Sequence, residues 1–199
     1  MCSRYHRHAL CPPLTLTPDA FTFYTLKLYK KYVVHLDPLF KRYPYFRKPF
    51  RNSIFPTCTF NCGSCVVTVE HIDSTNIPFG LCAIFSCGLY DPRKGGHLIL
   101  FDLGLVIEFP PGSTILVQFG TLCHRNVAIQ ADETRQSCMQ YCPGSLFHWV
   151  AYGFKQVQAS SDAERAFFEE NHEEHCKHAV GLFSKLGELE SHRQCVFNF

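Results

Sequence analysis

A chain of 199 residues, 46% hydrophobic and 15% aromatic, is long enough for one domain with a full core and too apolar for a disordered segment. Its formal charge of +2 excludes the overall basicity or acidity that would by itself mark a partner. The most apolar stretch, LILFDLGLVIEF, is broken by Asp102, so no run reaches membrane-span length, and MCSRYHRHALCPPLTL lacks an apolar signal core. The expectation is a soluble, intracellular protein whose twelve cysteines are reduced thiols.

In chain order, Thr17-Pro18-Asp19 reads as an N-cap and first helical turn, opening a helix from Ala20 to about Leu36 that stops at Asp37-Pro38. Between Lys27 and Arg51 lie eight Lys or Arg against one acid, Asp37, interleaved with Tyr, Phe and Pro. That excess could track a phosphate backbone, but a solvated helix face followed by a basic loop with its rings turned inward is the preferred reading. From Phe40 to Pro56 the chain reads as irregular. Cys58, Cys62 and Cys65 have a zinc-like spacing, but no second pair closes a four-ligand set.

The period then becomes two. SCVVTVE (64–70) and LCAIFSCG (81–88) read as strands, and LILFDLGLVIEF as two short strands bent near Asp102 to Gly104. PPGS (110–113) is a tight turn, and TILVQFG, NVAIQ and RQSCMQY are further strands. Many short strands between Gly and Pro turns predict a mainly β jelly roll with helices packed outside. The tail reads as one charged helix after Ser160-Ser161-Asp162, with Ser161 and Glu164 as a capping box. Its His172, His175 and His178 form an exposed polar face. The expected organisation is an N-terminal helix and basic segment (1–54), a β core (55–155) and a C-terminal helix and tail (156–199).

The chemistry gathers around HIDSTN (71–76). Residues i and i+2 of an extended segment project to one side, so His71 and Asp73 share a space. Alone, the pair is equally a strand end and a turn. His124 follows the turn-strand unit PPGSTILVQFG, which returns the chain to the same mouth. Two imidazoles and a carboxylate then make the facial set used by non-haem Fe(II) oxygenases. Arg135, eleven residues on, offers a planar fork to a carboxylate, suiting the distal end of 2-oxoglutarate. A second His-x-Asp, His35 and Asp37, ends a helix, where i and i+2 diverge.

This order of parts resembles the 2-oxoglutarate and Fe(II)-dependent dioxygenases of the double-stranded β-helix (jelly-roll, cupin-like) fold. HIDSTN followed by Gly80 and LCAIF resembles the TET/JBP group, which oxidises methyl groups of pyrimidine bases in DNA. The segment from GLYDPRKGG to GSLFHWV is similar to members found in mushroom-type fungi. The resemblance spans roughly residues 55–154. It implies Fe(II) on His71, Asp73 and His124, 2-oxoglutarate on Arg135 with Ser137 beside it, O2 as co-substrate, and no catalytic group beyond the metal ligands. It further implies Asn76 as a base contact, Tyr141 as the ring stacked on that base, a methylated base in DNA as substrate and a nuclear location. Asn76 is also a good turn former and Tyr141 a plausible core ring. Pro143 stands where animal TET enzymes have a histidine, the 199 residues hold no large cysteine-rich extension, and Phe119 and Cys123 are bulky neighbours for His124. Prolyl-type protein hydroxylation and a non-catalytic β-roll are the alternatives, and the sequence does not bear on oligomeric state.

Overall fold

The computed structural model describes residues 17–163, 166 and 172–197. Among them, mainly antiparallel β-sheets carry a few helices. Strands β1 (Thr57–Asn61), β2 (Cys82–Leu89), β5 (Thr114–Val117) and β7 (Thr134–Tyr141) form a four-stranded sheet in the order β1-β7-β2-β5. Strands β3 (Leu98–Leu100), β4 (Leu105–Ile107) and β6 (His124–Asn126) form a second sheet in the order β4-β3-β6. Alternation along β2 and β7 gives the larger sheet two covered faces. Inward, Cys82, Val117 and Phe119 meet Leu98 and Leu100 of the smaller sheet. Outward, Ala83 and Cys142 meet the helical layer.

That layer is led by α1 (Thr17–Arg42), where Leu28, Tyr32, Leu36 and Leu39 recur at helical spacing and are all buried. Two departures from the expected helix have local causes. Thr25 takes a non-helical backbone (φ −145°, ψ 54°) and its hydroxyl donates to the Phe21 carbonyl at 2.9 Å, which kinks the helix. The helix also does not stop at Asp37: it runs through Pro38 to Arg42. Proline withdraws a donor from the carbonyl four residues back. That residue, Val34, has its side chain 73% exposed on the water side, while Leu36 and Leu39 are locked into the core on the other. Packing therefore overrides the local preference.

The second helix, α2 (Gly144–Ala151), was not expected; it buries Phe147 among Tyr32 and Phe79. His35 stacks on Phe147 (ring centroids 3.7 Å apart) and donates through Nε2 to its carbonyl at 2.7 Å, while Asp37 pairs with Lys41. The second His-x-Asp pair is thus split between two partners. The tail forms α3 (His172–Gly181) and α4 (Leu189–Phe197) in place of one long helix, with a turn at Leu182 to Glu188 between them. Glu164 and the Thr17 side chain, read as caps, lie outside the described residues, as does the side chain of His172. His175 and His178 are exposed.

The segment 64–70, expected as a strand, lies outside both ladders and meets β7 through one isolated bridge, Cys65 to Arg135. Its start bonds to backbone, the Ser64 carbonyl accepting from Arg135 N–H (2.8 Å), and its middle bonds to a side chain. Asn126 Oδ1 accepts from Thr68 N–H (2.8 Å) and from the Thr68 hydroxyl (2.7 Å), and Asn126 Nδ2 donates to the Val66 carbonyl (2.7 Å). The strand lies instead at TCTFN, where Cys58 pairs across to β7, opposite Gln140. NVAIQ likewise contributes only its first residue to β6. The bend of LILFDLGLVIEF is as expected, with Gly104 left-handed (φ 60°) after a 3-10 turn at Phe101–Leu103.

Asn126→Ala removes three bonds and leaves half-buried groups of Val66 and Thr68 without partners. The expected cost is about 3 kcal/mol, with faster amide exchange at 66–71 than elsewhere. Denaturant melts and hydrogen exchange measure both.

Candidate metal and anion site

Segment 64–71 ends in a closed antiparallel pair: His71 N–H donates to the His124 carbonyl (3.1 Å) and His124 N–H donates back to His71 (2.9 Å). Residues facing each other in this way share a side of the sheet. Both imidazoles therefore point the same way, their centroids 4.3 Å apart. Asp73, two residues on, is fixed by its N–H to the Phe119 carbonyl (3.0 Å), and its Oδ1 lies 3.4 Å from His71 Nε2. One ligand atom from each of His71, Asp73 and His124 lies within 4.8 Å of the others. No other trio of His, Cys, Asp or Glu does so among the described residues. The Cys58, Cys62 and Cys65 zinc reading gains no support there.

The ring orientations suit a cation. His71 Nδ1 sits 2.7 Å from the Val69 carbonyl and His124 Nδ1 sits 2.9 Å from the Leu122 carbonyl. A carbonyl only accepts, so in the neutral ring each Nδ1 carries the proton and Nε2 is the atom that offers a lone pair. Burial lowers the pKa of His124 and outweighs the opposing hydrogen bond to the Leu122 carbonyl; His71 lowers it a little further and Asp73 opposes. The neutral, ligating form is the stable one at pH 7. Phe119, fully buried, packs its ring 3.9 Å from His124 and walls one side of it. The Cys123 thiol turns to Glu70 (3.4 Å), so the bulk expected to crowd the trio is Phe119 alone.

The trio opens into a cavity of about 200 Å³ between the two sheets, the room of about seven waters. Arg135 and Ser137, from β7, line it too. Arg135 is 4% exposed, its Nε is buried without a hydrogen-bond partner, and no carboxylate pairs with it among the described residues. The Phe109 ring lies 5.7 Å from the guanidinium. Gly96, left-handed (φ 73°), admits the Arg135 stem and the Tyr90 ring where a Cβ would collide with the ring at 2.7 Å. A buried guanidinium without a counter-charge is costly, and an anion in the cavity relieves that cost.

Five of the residues singled out in the sequence, His71, Asp73, His124, Arg135 and Ser137, thus share one cavity. Asn76 and Tyr141 do not line it. Asn76 is 4% exposed behind Asp73, its Nδ2 donating to Asp73 Oδ2 (3.2 Å) and to Cys82 Sγ (3.3 Å). Tyr141 packs against the core between the sheets, its hydroxyl 3.4 Å from Thr59 Oγ1. The sequence reading missed Thr59, Asn61, Thr68 and Asn126, which give the cavity its polar wall. Asn61 Nδ2 donates to Ser137 Oγ (3.1 Å). Their only signal was polar residues recurring within apolar strands.

No family model matches the chain, and no curated protein does. Solved structures give low similarities. NgTET1 in complex with 5mC DNA is 14% identical with a TM-score of 0.43, covering 66% of this chain and 54% of that one. The viral collagen prolyl hydroxylase vCPH from Paramecium Bursaria Chlorella virus-1, in its 2OG complex, is 10% identical with a TM-score of 0.31, covering 56% of this chain and 70% of that one. The chain therefore spans about half the length of the NgTET1 structure. No helix among the described residues is long and apolar enough to cross a membrane.

Two outcomes follow from this geometry. Burial lowers the pKa of both His124 and His35 below 6.5. The unfolded chain then binds protons that the folded one refuses, so stability is fully present above that pH and erodes as pH falls below it. Thermal midpoints of metal-free protein should drop between pH 6.5 and 5, less steeply in His35→Gln. Secondly, Asn76→Ala frees Asp73 Oδ2 and should weaken Co(II) binding by about 10- to 100-fold while the fold persists, read by visible absorption titration.

Proposed function

We propose that this chain is a dioxygenase dependent on Fe(II) and 2-oxoglutarate, built on a double-stranded β-helix. The observation that carries the reading is a single cavity with two imidazoles and a carboxylate at one end and an uncompensated buried arginine in its wall. The donor set fits Fe(II): two neutral nitrogens with free lone pairs and one carboxylate leave three positions open. Arg135 fits the distal carboxylate of 2-oxoglutarate, a planar fork against a planar acceptor. Together the metal and cosubstrate would supply the oxidation, 2-oxoglutarate and O2 giving succinate and CO2 as a substrate C–H becomes C–OH.

The chain's own residues would hold that chemistry in place. Val69 and Leu122 carbonyls fix the imidazole tautomers, and Asn76 orients the Asp73 carboxylate. Arg135, with Ser137 beside it, would position the diacid, and Phe119 keeps water from one face of His124. For substrate we favour a methylated base in DNA, of the 5-methylcytosine type, on the resemblance of HIDSTN to the TET/JBP element. A nuclear location goes with that substrate. Prolyl-type hydroxylation of a protein is the second reading. It is favoured by Asn76, whose amide nitrogen is committed to Asp73 and Cys82, and by Tyr141, which stands outside the cavity lining. The low structural similarities include one protein of each kind and do not choose between the two.

Anaerobic Fe(II) and 2-oxoglutarate should give a weak visible charge-transfer band that Asp73→Ala abolishes. Arg135→Met should raise the 2-oxoglutarate concentration needed for the band at least 100-fold, an effect of about 3 kcal/mol. A folded, metal-loaded protein without the band would sink the reading. Mass spectrometry of methylated oligonucleotides and of proline-rich peptides, each with succinate assayed, then separates the two substrates.

A further inference from the structure

The face of the larger sheet turned away from the cavity carries a second chemical feature. Cys58 of β1 and Cys138 of β7 bring their sulfurs to 3.1 Å, across 80 residues of sequence. In the register Cys58 faces Gln140 and Phe60 faces Cys138, so the two thiols are diagonal neighbours on one side of the ladder. Two sulfurs at that distance are already inside ordinary contact, and closing to a bond of ~2.04 Å needs a shift of about 1 Å. We propose that Cys58 and Cys138 form an oxidisable dithiol, which a hydroperoxide converts to a disulfide that fastens β1 to β7 behind the cavity wall.

The partners are unequal in the way such chemistry requires. Cys58 is partly exposed and open to a small oxidant, whereas Cys138 is 4% exposed with its sulfur 3.1 Å away. The hydrogen bond with Cys138 lowers the pKa of Cys58. Burial raises Cys82 to about 12 and pushes Cys142 higher still, which keeps both inert. The Cys58 thiolate attacks one peroxide oxygen, the O–O bond breaks, and hydroxide leaves with Cys58 as the sulfenic acid. The Cys138 thiol then displaces that hydroxyl as water. Two thiols and one H2O2 give one disulfide and two waters.

The consequence reaches the cavity. β1 is an edge strand whose ladder partner among the described residues is β7, and its Thr59 and Asn61 line the cavity next to Cys58. Cys138 lies between Ser137 and Met139, both lining residues. The bond would turn a strand free to fray into a fixed wall.

The test uses the full chain, treated with H2O2, denatured, blocked with N-ethylmaleimide and digested with trypsin and chymotrypsin. Cuts after Phe60 and Tyr141 separate Cys58 from Cys62 and Cys138 from Cys142. The expected result is a linked Cys58–Cys138 peptide that dithiothreitol releases, and a thermal midpoint raised by on the order of 10 °C. Cys58→Ser, a partly exposed edge position, should stay folded, form no link and show no rise. Both cysteines carrying maleimide after peroxide, Cys58 ending as sulfinic acid, or Cys58 linked to Cys62 would each overturn the proposal.

Discussion

The two backbone hydrogen bonds between His71 and His124 are the hinge of this structure. They are ordinary sheet bonds, yet they decide three things together. They attach the extended segment 64–71 to the smaller sheet, they point both imidazoles to one side, and they set the level at which Asp73 enters. Because facing residues in an antiparallel pair share a side, the metal-binding potential of the site is a property of strand pairing before it is a property of side chains. The Asn126 amide, bonded to Thr68 and Val66, continues that attachment where the ladder lapses.

Arg135 poses the opposite problem, since its burial works against the fold. The register places it there: Gly88 faces it from β2, and an added Cβ on Gly88, whose φ is 127°, would meet the Thr134 carbonyl oxygen at 2.1 Å. The sheet thus closes tightly over the arginine's backbone while its side chain lines the cavity without an acid to meet it among the described residues. A protein carrying such a charge is stabilised by any anion that binds the folded state alone. An anion held there would couple stability to its own occupancy through this one residue.

Much of this was readable in the sequence where the pattern is local. The apolar stripe of α1, the alternation in β2 and β7 and the bend at Asp102 to Gly104 need only a period or a glycine. So does the pairing of His71 with Asp73, since i and i+2 suffice. Features that depend on a distant partner were not readable. Segment 64–70 has the composition of a strand, but Val66 and Thr68 in its middle find a side-chain amide about sixty residues away. TCTFN looked like part of a cysteine cluster because its pairing with β7 leaves no local mark. Pro38 ends a helix in isolation and not when Leu36 and Leu39 are anchored beneath a sheet. Asn76 was read as a base contact or a turn former; that its amide donates to Asp73 Oδ2 is a contact which spacing alone cannot reveal.

Strand β7 touches both halves of the molecule. Arg135, Ser137 and Met139 face the cavity, while Cys138 and Gln140 face the helical layer, where Ser53 Oγ donates to Gln140 Oε1 at 2.6 Å. Neighbours on both sides, β1 and β2, hold it in that phase. Loss or gain of a single residue inside β7 would exchange the two faces at once, sending Gln136 and Cys138 into the cavity and Arg135 and Ser137 under the helices. Length variation is therefore better borne in the exposed parts of the turns, at 93–94 and 110–113, whereas the eight residues of β7 must be inherited as an uninterrupted unit.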